Sequence, residues 1–145
     1  MGIQEIQGSK GTILKDKKIF VGISGSIAAI ETPHLVREII RYSGDPIVAL
    51  TEEACRFVTS DSLTWSMGKK PITKISGFSE HISLTMDPNK KVDLCLICPA
   101  TANTIAKIAS GIADTPVTLI TLAAIGAGIP VIIVPNAHRL SLIHI

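Results

Sequence analysis

Four short aliphatic runs, at residues 18–23, 46–50, 92–98 and 131–134, punctuate this chain, and the first three each give way to a turn and then a helical pattern. That alternation is the strongest constraint on the fold. Strands separated by helix-length segments cannot close as hairpins and are joined instead by crossovers, which predicts an α/β architecture with a doubly wound parallel sheet. Composition agrees: 46% of residues are hydrophobic but only 3% aromatic, so the core is built from Ile, Leu, Val and Ala, as in sheets covered by helices on both faces. The 145 residues fit one domain, read as 18–145, preceded by a polar arm at 1–17 with order beginning at Lys18.

Several classes fall away early. A formal net charge of +2, with the basic residues scattered, gives no electrostatic grip on a phosphate backbone, so no nucleic-acid partner is expected. Residues 115–138 carry no Asp, Glu, Lys or Arg, long enough on paper to span a bilayer. Gly126, Gly128 and Pro130 break that stretch, and the β-branched run after them prefers strand, so it reads as helix, turn and buried strand rather than a membrane span. The N-terminus lacks the apolar core of a secretory signal, which makes the cytoplasm the default address. Cys95 and Cys98 spell CxxC inside an apolar run, with no second pair to complete a zinc site, and are read with Cys55 as reduced thiols.

The chemistry gathers where strands end. Gly22-Ile23-Ser24-Gly25-Ser26-Ile27-Ala28-Ala29 turns strand into helix without fitting a GxGxxG frame. Gly25 permits close approach of an anion to the backbone, Ser24 and Ser26 add hydroxyls, and the helix start adds free N–H groups; a tight turn with Ser26 as an ordinary cap accounts for the same residues. Thr51 ends the second strand, followed by an apparent helix start at 51–54 with an acidic first turn. Pro99-Ala100-Thr101-Ala102-Asn103-Thr104 follows the third, where small residues admit a flat ring and Asn103 offers an amide, or where Thr101 and Asn103 merely cap a helix. In an open α/β sheet all three lie at the carboxyl edge, the ligand-binding edge. Asp61 is read as capping a short helix with Trp65, residues 72–75 as a possible strand, and His81 as standing between a loop and a strand, a candidate proton carrier or a structural histidine. His138 follows the last strand, and His34 reads as a surface residue. No metal-ligand spacing and no GxSxG elbow is present.

Those motifs, with Leu50-Thr51-Glu52-Glu53-Ala54, Glu80-His81-Ile82, Pro99 through Lys107 and Gly111-Ile112-Ala113-Asp114, occur in an order that resembles the homo-oligomeric flavin-containing cysteine decarboxylases, over residues 3–145. The likeness is greatest to the branch acting on phosphopantothenoylcysteine in coenzyme A biosynthesis, and Asp114-Thr115-Pro116-Val117 with the long N-terminal arm looks archaeal. The resemblance implies a flavodoxin-like three-layer αβα fold, an FMN cofactor and a homo-oligomer, either a homotrimer or a homododecamer built from trimers. It implies that Ser24, Gly25, Ser26 and Ile27 hold the FMN phosphate with Thr51 assisting, and that Ala100, Thr101, Ala102 and Asn103 line the ring. His81 then matches the catalytic histidine of a reaction in which the substrate cysteine is oxidised to a thioaldehyde, loses carbon dioxide as an enethiolate and is reduced again.

Two departures stand out against the family pattern. Its Pro-Ala-Met-Asn motif reads Pro135-Asn136-Ala137-His138 here, leaving His138 as the donor to the substrate carboxylate. The sequence ends at Ile145, ahead of the family's substrate flap and reducing cysteine, which leads one to expect impaired turnover. A flavin prenyltransferase-like enzyme and a non-catalytic FMN-binding electron carrier are the alternatives.

Overall fold

The computed structural model describes residues 2–137. Four strands, β1 (Lys18–Ile23), β2 (Asp45–Leu50), β3 (Leu94–Ala100) and β4 (Val131–Pro135), form one all-parallel sheet in the order β2-β1-β3-β4. Six α-helices connect and flank them: α1 (Ile3–Ile6), α2 (Thr32–Arg41), α3 (Ser60–Met67), α4 (Glu80–Met86), α5 (Ala102–Ala109) and α6 (Pro116–Gly126). Tight 3-10 turns at Ile27–Glu31 and Glu53–Arg56 follow β1 and β2, where the acidic segment after Thr51 had been expected to open an α-helix.

The three layers follow from the two-residue period of β1. Ile19, Val21 and Ile23 face one way, onto a core with Val36, Ile39, Ile40, Leu63 and Met67 of α2 and α3. Phe20 faces the other, onto Cys95, Ile97, Ile108, Val117, Ile120 and Ala124. Gly22 lies between them because a Cβ there would come within 2.8 Å of both Ile97 Cδ1 and Val117 Cγ1, so the missing side chain is what lets α6 close on the sheet.

The uncharged stretch resolves into α6, a turn with Gly128 at φ +70°, and β4; no helix among the described residues is long and apolar enough to cross a membrane. The expectation that 131–134 is a buried strand is corrected. Among the described residues β4 pairs only with β3, and Ile132 and Val134 on its outer face are 49% and 42% exposed.

Order begins well before Lys18. Ile6 of α1 is 2% exposed and joins the α2–α3 core, Gly8 N donates to Ile40 O, and Lys10 reaches Glu38 of α2 at 2.9 Å. The Lys10 ammonium, with Arg41, holds the Glu38 carboxyl below its usual range. The arm thus packs on its own chain because it carries apolar side chains, Ile6 foremost with Ile3 and Leu14 beside it, that the core under α2 can bury.

Other local expectations change as well. Thr59, not Asp61, caps the helix bearing Trp65, its Oγ1 accepting from Ser62 N at 3.1 Å. The strand expected at 72–75 is a single bridge, Ala49 to Ile72. All three cysteines are free, and burial pushes the Cys95 thiol up to about 11.

Candidate functional site

The sheet order reverses direction at β1, so the turns after β1 and β3 diverge and leave a crevice at their carboxyl ends. Ser24 spans it. Its hydroxyl, 1% exposed, donates to Pro99 O at 2.7 Å and accepts from Thr101 N at 2.8 Å, while its backbone N donates to the same Pro99 carbonyl. Thr51 N donates to Ile23 O, and Asn136 N to Ala100 O, so the ends of all four strands are tied together. Ser24 therefore staples two turns, a different task from offering its hydroxyl to an anion.

Beside the staple, Gly25, Thr51, Glu52, Glu53, Thr101, Asn103, Thr104, Lys107, Asp114 and Thr115 line a cleft of about 410 Å³. Gly25 is required there for a reason other than anion approach. A Cβ on it would lie 2.4 Å from Glu53 Cβ and 2.9 Å from the Glu53 carbonyl carbon, so the β1 turn packs directly on the β2 turn. Ser26 caps the 3-10 turn, its Oγ accepting from Ala28 N at 3.3 Å, and Ile27 beside it is exposed. Thr51 Oγ1 accepts from Ala54 N, and Thr101 Oγ1 accepts from Thr104 N as the cap of α5. Asn103 is exposed on the cleft wall, whereas Ala100 is fully buried in the core.

His81 stands at the start of α4, not ahead of a strand, and its carbonyl accepts from Thr85 Oγ1 at 2.6 Å. It lines a narrow, largely apolar cleft with Ile72, Lys74, Ile75, Glu80, Pro116, Leu119 and Ile120. The Ser76 hydroxyl donates to the Glu80 carboxylate, which lies below its usual range chiefly for that reason. A further cleft joins the two regions: it shares Glu52, Asp114 and Thr115 with the first and Lys74, Ile75 and Pro116 with the second. The turns after β1, β2 and β3, the loop into α6 and His81 thus lie along connected clefts, although His81 and Gly25 do not line the same cavity. His34 lies on the surface near Glu38, and His138 is outside the described residues.

The sequence motifs did not single out Glu52, Glu53, Thr104, Lys107, Asp114 and Thr115 as lining residues. The signal available for the last two was Asp114-Thr115-Pro116, a helix start in which Thr115 and Thr118 cap each other reciprocally and so hold that loop against the cleft.

A doubly wound α/β protein whose ligand cleft opens at the switch point of its parallel sheet is the class these features define. The profile of the flavoprotein family matches residues 7–142, and a solved FMN-dependent cysteine decarboxylase, TvaF from thioviridamide biosynthesis, superposes with a TM-score of 0.76 at 30% identity over 88% of this chain and 77% of its own. The chain belongs to the flavoprotein family, on the branch that holds the FMN-dependent cysteine decarboxylases. It is 41% identical over 136 residues to the coenzyme A biosynthesis bifunctional protein CoaBC of Thermococcus kodakarensis, covering 94% of this chain and 34% of that one. It is 32% identical over 113 residues to the phosphopantothenoylcysteine decarboxylase of Mus musculus, covering 71% of this chain and 52% of that one. The chain therefore spans about a third of the bifunctional relative it matches.

Proposed function

We propose that this chain binds FMN at the carboxyl edge of its sheet and uses it to decarboxylate 4'-phospho-N-pantothenoylcysteine to 4'-phosphopantetheine in coenzyme A biosynthesis. The observation that carries the reading is the convergence of the β1, β2 and β3 turns on one cleft that a further cleft connects to that of His81. The names of its relatives, the bifunctional coenzyme A protein and the mouse decarboxylase among them, support the substrate.

The residues fit the cofactor. Gly25, Ser26 and Ile27 present a 3-10 turn start and a hydroxyl with Thr51 alongside, a donor set suited to a phosphate, while Ala102 and Asn103 supply a small-residue wall with an amide for a polar ring edge. Ser24 and buried Ala100 serve by holding the turns in place. Bound there, FMN would supply the two-electron redox chemistry that the reaction requires. His81 accepts and returns the substrate proton, a task for which imidazole is suited near neutral pH. The apolar surroundings from Ile72, Ile75 and Leu119 limit water around it. His138 is assigned the substrate carboxylate on sequence alone.

Assembly as a homotrimer or a homododecamer belongs to the same reading, and exposed apolar side chains such as Phe78 (90%) and Met86 (71%) support association of copies. A cytoplasmic location is consistent with a biosynthetic enzyme of this kind.

The first test is the absorption spectrum of the purified protein, with the released chromophore identified by mass; one FMN per chain is expected. Carbon dioxide release from the substrate by the unaltered chain, lost in His81→Asn with FMN retained, completes it. A chain that takes up FMN but releases none would leave an electron carrier, and equal release by both forms would remove His81 from its role.

A further inference from the structure

The anion end of the cleft has an electrostatic problem. Three carboxylates, Glu52, Glu53 and Asp114, line it against a single ammonium, Lys107. Glu53 is drawn onto Arg56 at 3.0 Å, both well exposed, whereas Glu52 makes no ion pair among the described residues. A phosphate seated on the Gly25–Ser26 turn would meet unfavourable charge from the adjoining β2 turn, because Gly25 packs directly against Glu53. Hydroxyls and backbone N–H groups offer partial charges only, so a full cation lining the same cleft offsets part of that repulsion and adds a charge-assisted donor.

Lys107 is placed to do this. It projects from the last turn of α5, and its Nζ lies 2.8 Å from Asp114 Oδ2, in the loop leading into α6. Its side chain is 26% exposed against 52% for Asp114, so the ammonium is the more sheltered partner and the carboxylate keeps its water. An ammonium has three donors, and Asp114 takes one, leaving two to point elsewhere. Both residues line the same cleft as Gly25 and Thr51.

We infer that Lys107, oriented by Asp114, is the cation that admits a phosphate monoester to this cleft and makes the chain prefer FMN over unphosphorylated riboflavin. The inference rests on the reading of the cleft as a flavin site and gives a role to Lys107, which closes the Pro99–Lys107 motif but lies beyond the turn itself. The competing account is that the pair only pins the loop between α5 and α6.

The two accounts separate in a binding experiment on the full chain stripped of flavin. Dissociation constants for FMN and riboflavin are measured by flavin fluorescence for the unaltered chain, Lys107→Met and Lys107→Arg, at two salt concentrations, with thermal midpoints recorded beside them. Loss of one charge-assisted contact is expected to weaken FMN about 10- to 100-fold in Lys107→Met while riboflavin changes by less than about twofold. Lys107→Arg is expected to restore most of the FMN affinity, and the salt dependence of FMN binding should flatten in Lys107→Met. Equal weakening of both flavins, or a lowered midpoint with an unchanged FMN-to-riboflavin ratio, would establish the pinning account and overturn the inference. If the unaltered chain bound riboflavin and FMN equally, the inference alone would fail; if it bound neither, the flavin reading itself would fall and take the inference with it.

Discussion

Replacing Ser24 with alanine tests whether the cleft is held open by a hydrogen-bonded staple. The hydroxyl sits at 1% exposure between strands 75 residues apart in sequence, donating to Pro99 O at 2.7 Å and accepting from Thr101 N at 2.8 Å. Pro99 O keeps a partner after the change, since Ser24 N also donates to it at 3.1 Å. Thr101 N–H has no such reserve and is left half-buried without its acceptor. Two lost bonds at about 1 kcal/mol each, plus about 1 kcal/mol for the stranded N–H, give a loss of about 3 kcal/mol. For a domain of this size each kcal/mol lowers the midpoint by about 2–4 °C, so a fall of about 6–12 °C is expected. Urea unfolding of Ser24→Ala against Ser62→Ala provides the comparison, because the Ser62 hydroxyl makes one exposed bond to Thr59 O and its removal should cost less than about 0.5 kcal/mol. Flavin affinity should drop with stability in Ser24→Ala as the β1 and β3 turns separate. Equal stability of the two variants would show that the turns are held by packing alone, and the staple argument would be wrong.

Further expectations concern the N-terminal segment, the β1 turn and the buried thiol. Ile6→Ala should cost about 2–4 kcal/mol in the same urea assay, since Ile6 is 2% exposed in the main core; a change under about 0.5 kcal/mol would return residues 1–17 to the status of a loose arm. Gly25→Ala forces a Cβ to 2.4 Å from Glu53 Cβ, so the β1 and β2 turns must part; a lowered thermal midpoint together with weaker flavin binding is expected, and retention of both would contradict the contact. Cys95 should resist alkylation in the native protein at pH 8 while exposed Cys55 reacts, as read by mass spectrometry. Because burial raises the Cys95 thiol from 9.0 to about 11, the folded state binds its proton more tightly than the unfolded state. Its contribution to stability is intact below pH 9 and declines between about pH 9 and 11, by of order 2 kcal/mol across that window. Cys95→Ala, compared with the unaltered chain, should flatten this part of the profile.

What could be read from residues alone divides along a physical line. Strand positions and the carboxyl-edge turns were legible because they depend on local signals: β-branched runs, a serine cap at Ser26, a proline near the start of α6. The helix carrying His81 gave no such signal, as Ser79 ahead of it adopts a left-handed backbone at φ 52° and makes no side-chain cap bond. Its helical state comes from tertiary packing on α6 through Leu84, buried in the second core, with the Thr85 hydroxyl returning to the His81 carbonyl. The same holds for α1, four residues long and far below the length at which a helix stands alone, which forms where Ile6 is buried against α2. Partnerships across the fold were equally hidden: the identity of Ser24 and Gly25 was plain, but their partners Thr101 and Glu53 lie 77 and 28 positions away. Lys107 and Asp114 are seven residues apart, which in a continuous helix would set them two turns apart on one face; they meet instead because α5 ends between them and Gly111 turns the chain at φ +71°. The cleft is therefore a product of where helices stop. Its character is set by which side chains the turns bring back to the sheet edge: Asn103 near the start of α5, Lys107 in its last turn and Asp114 beyond it line one cleft although no local signal in the sequence joins them.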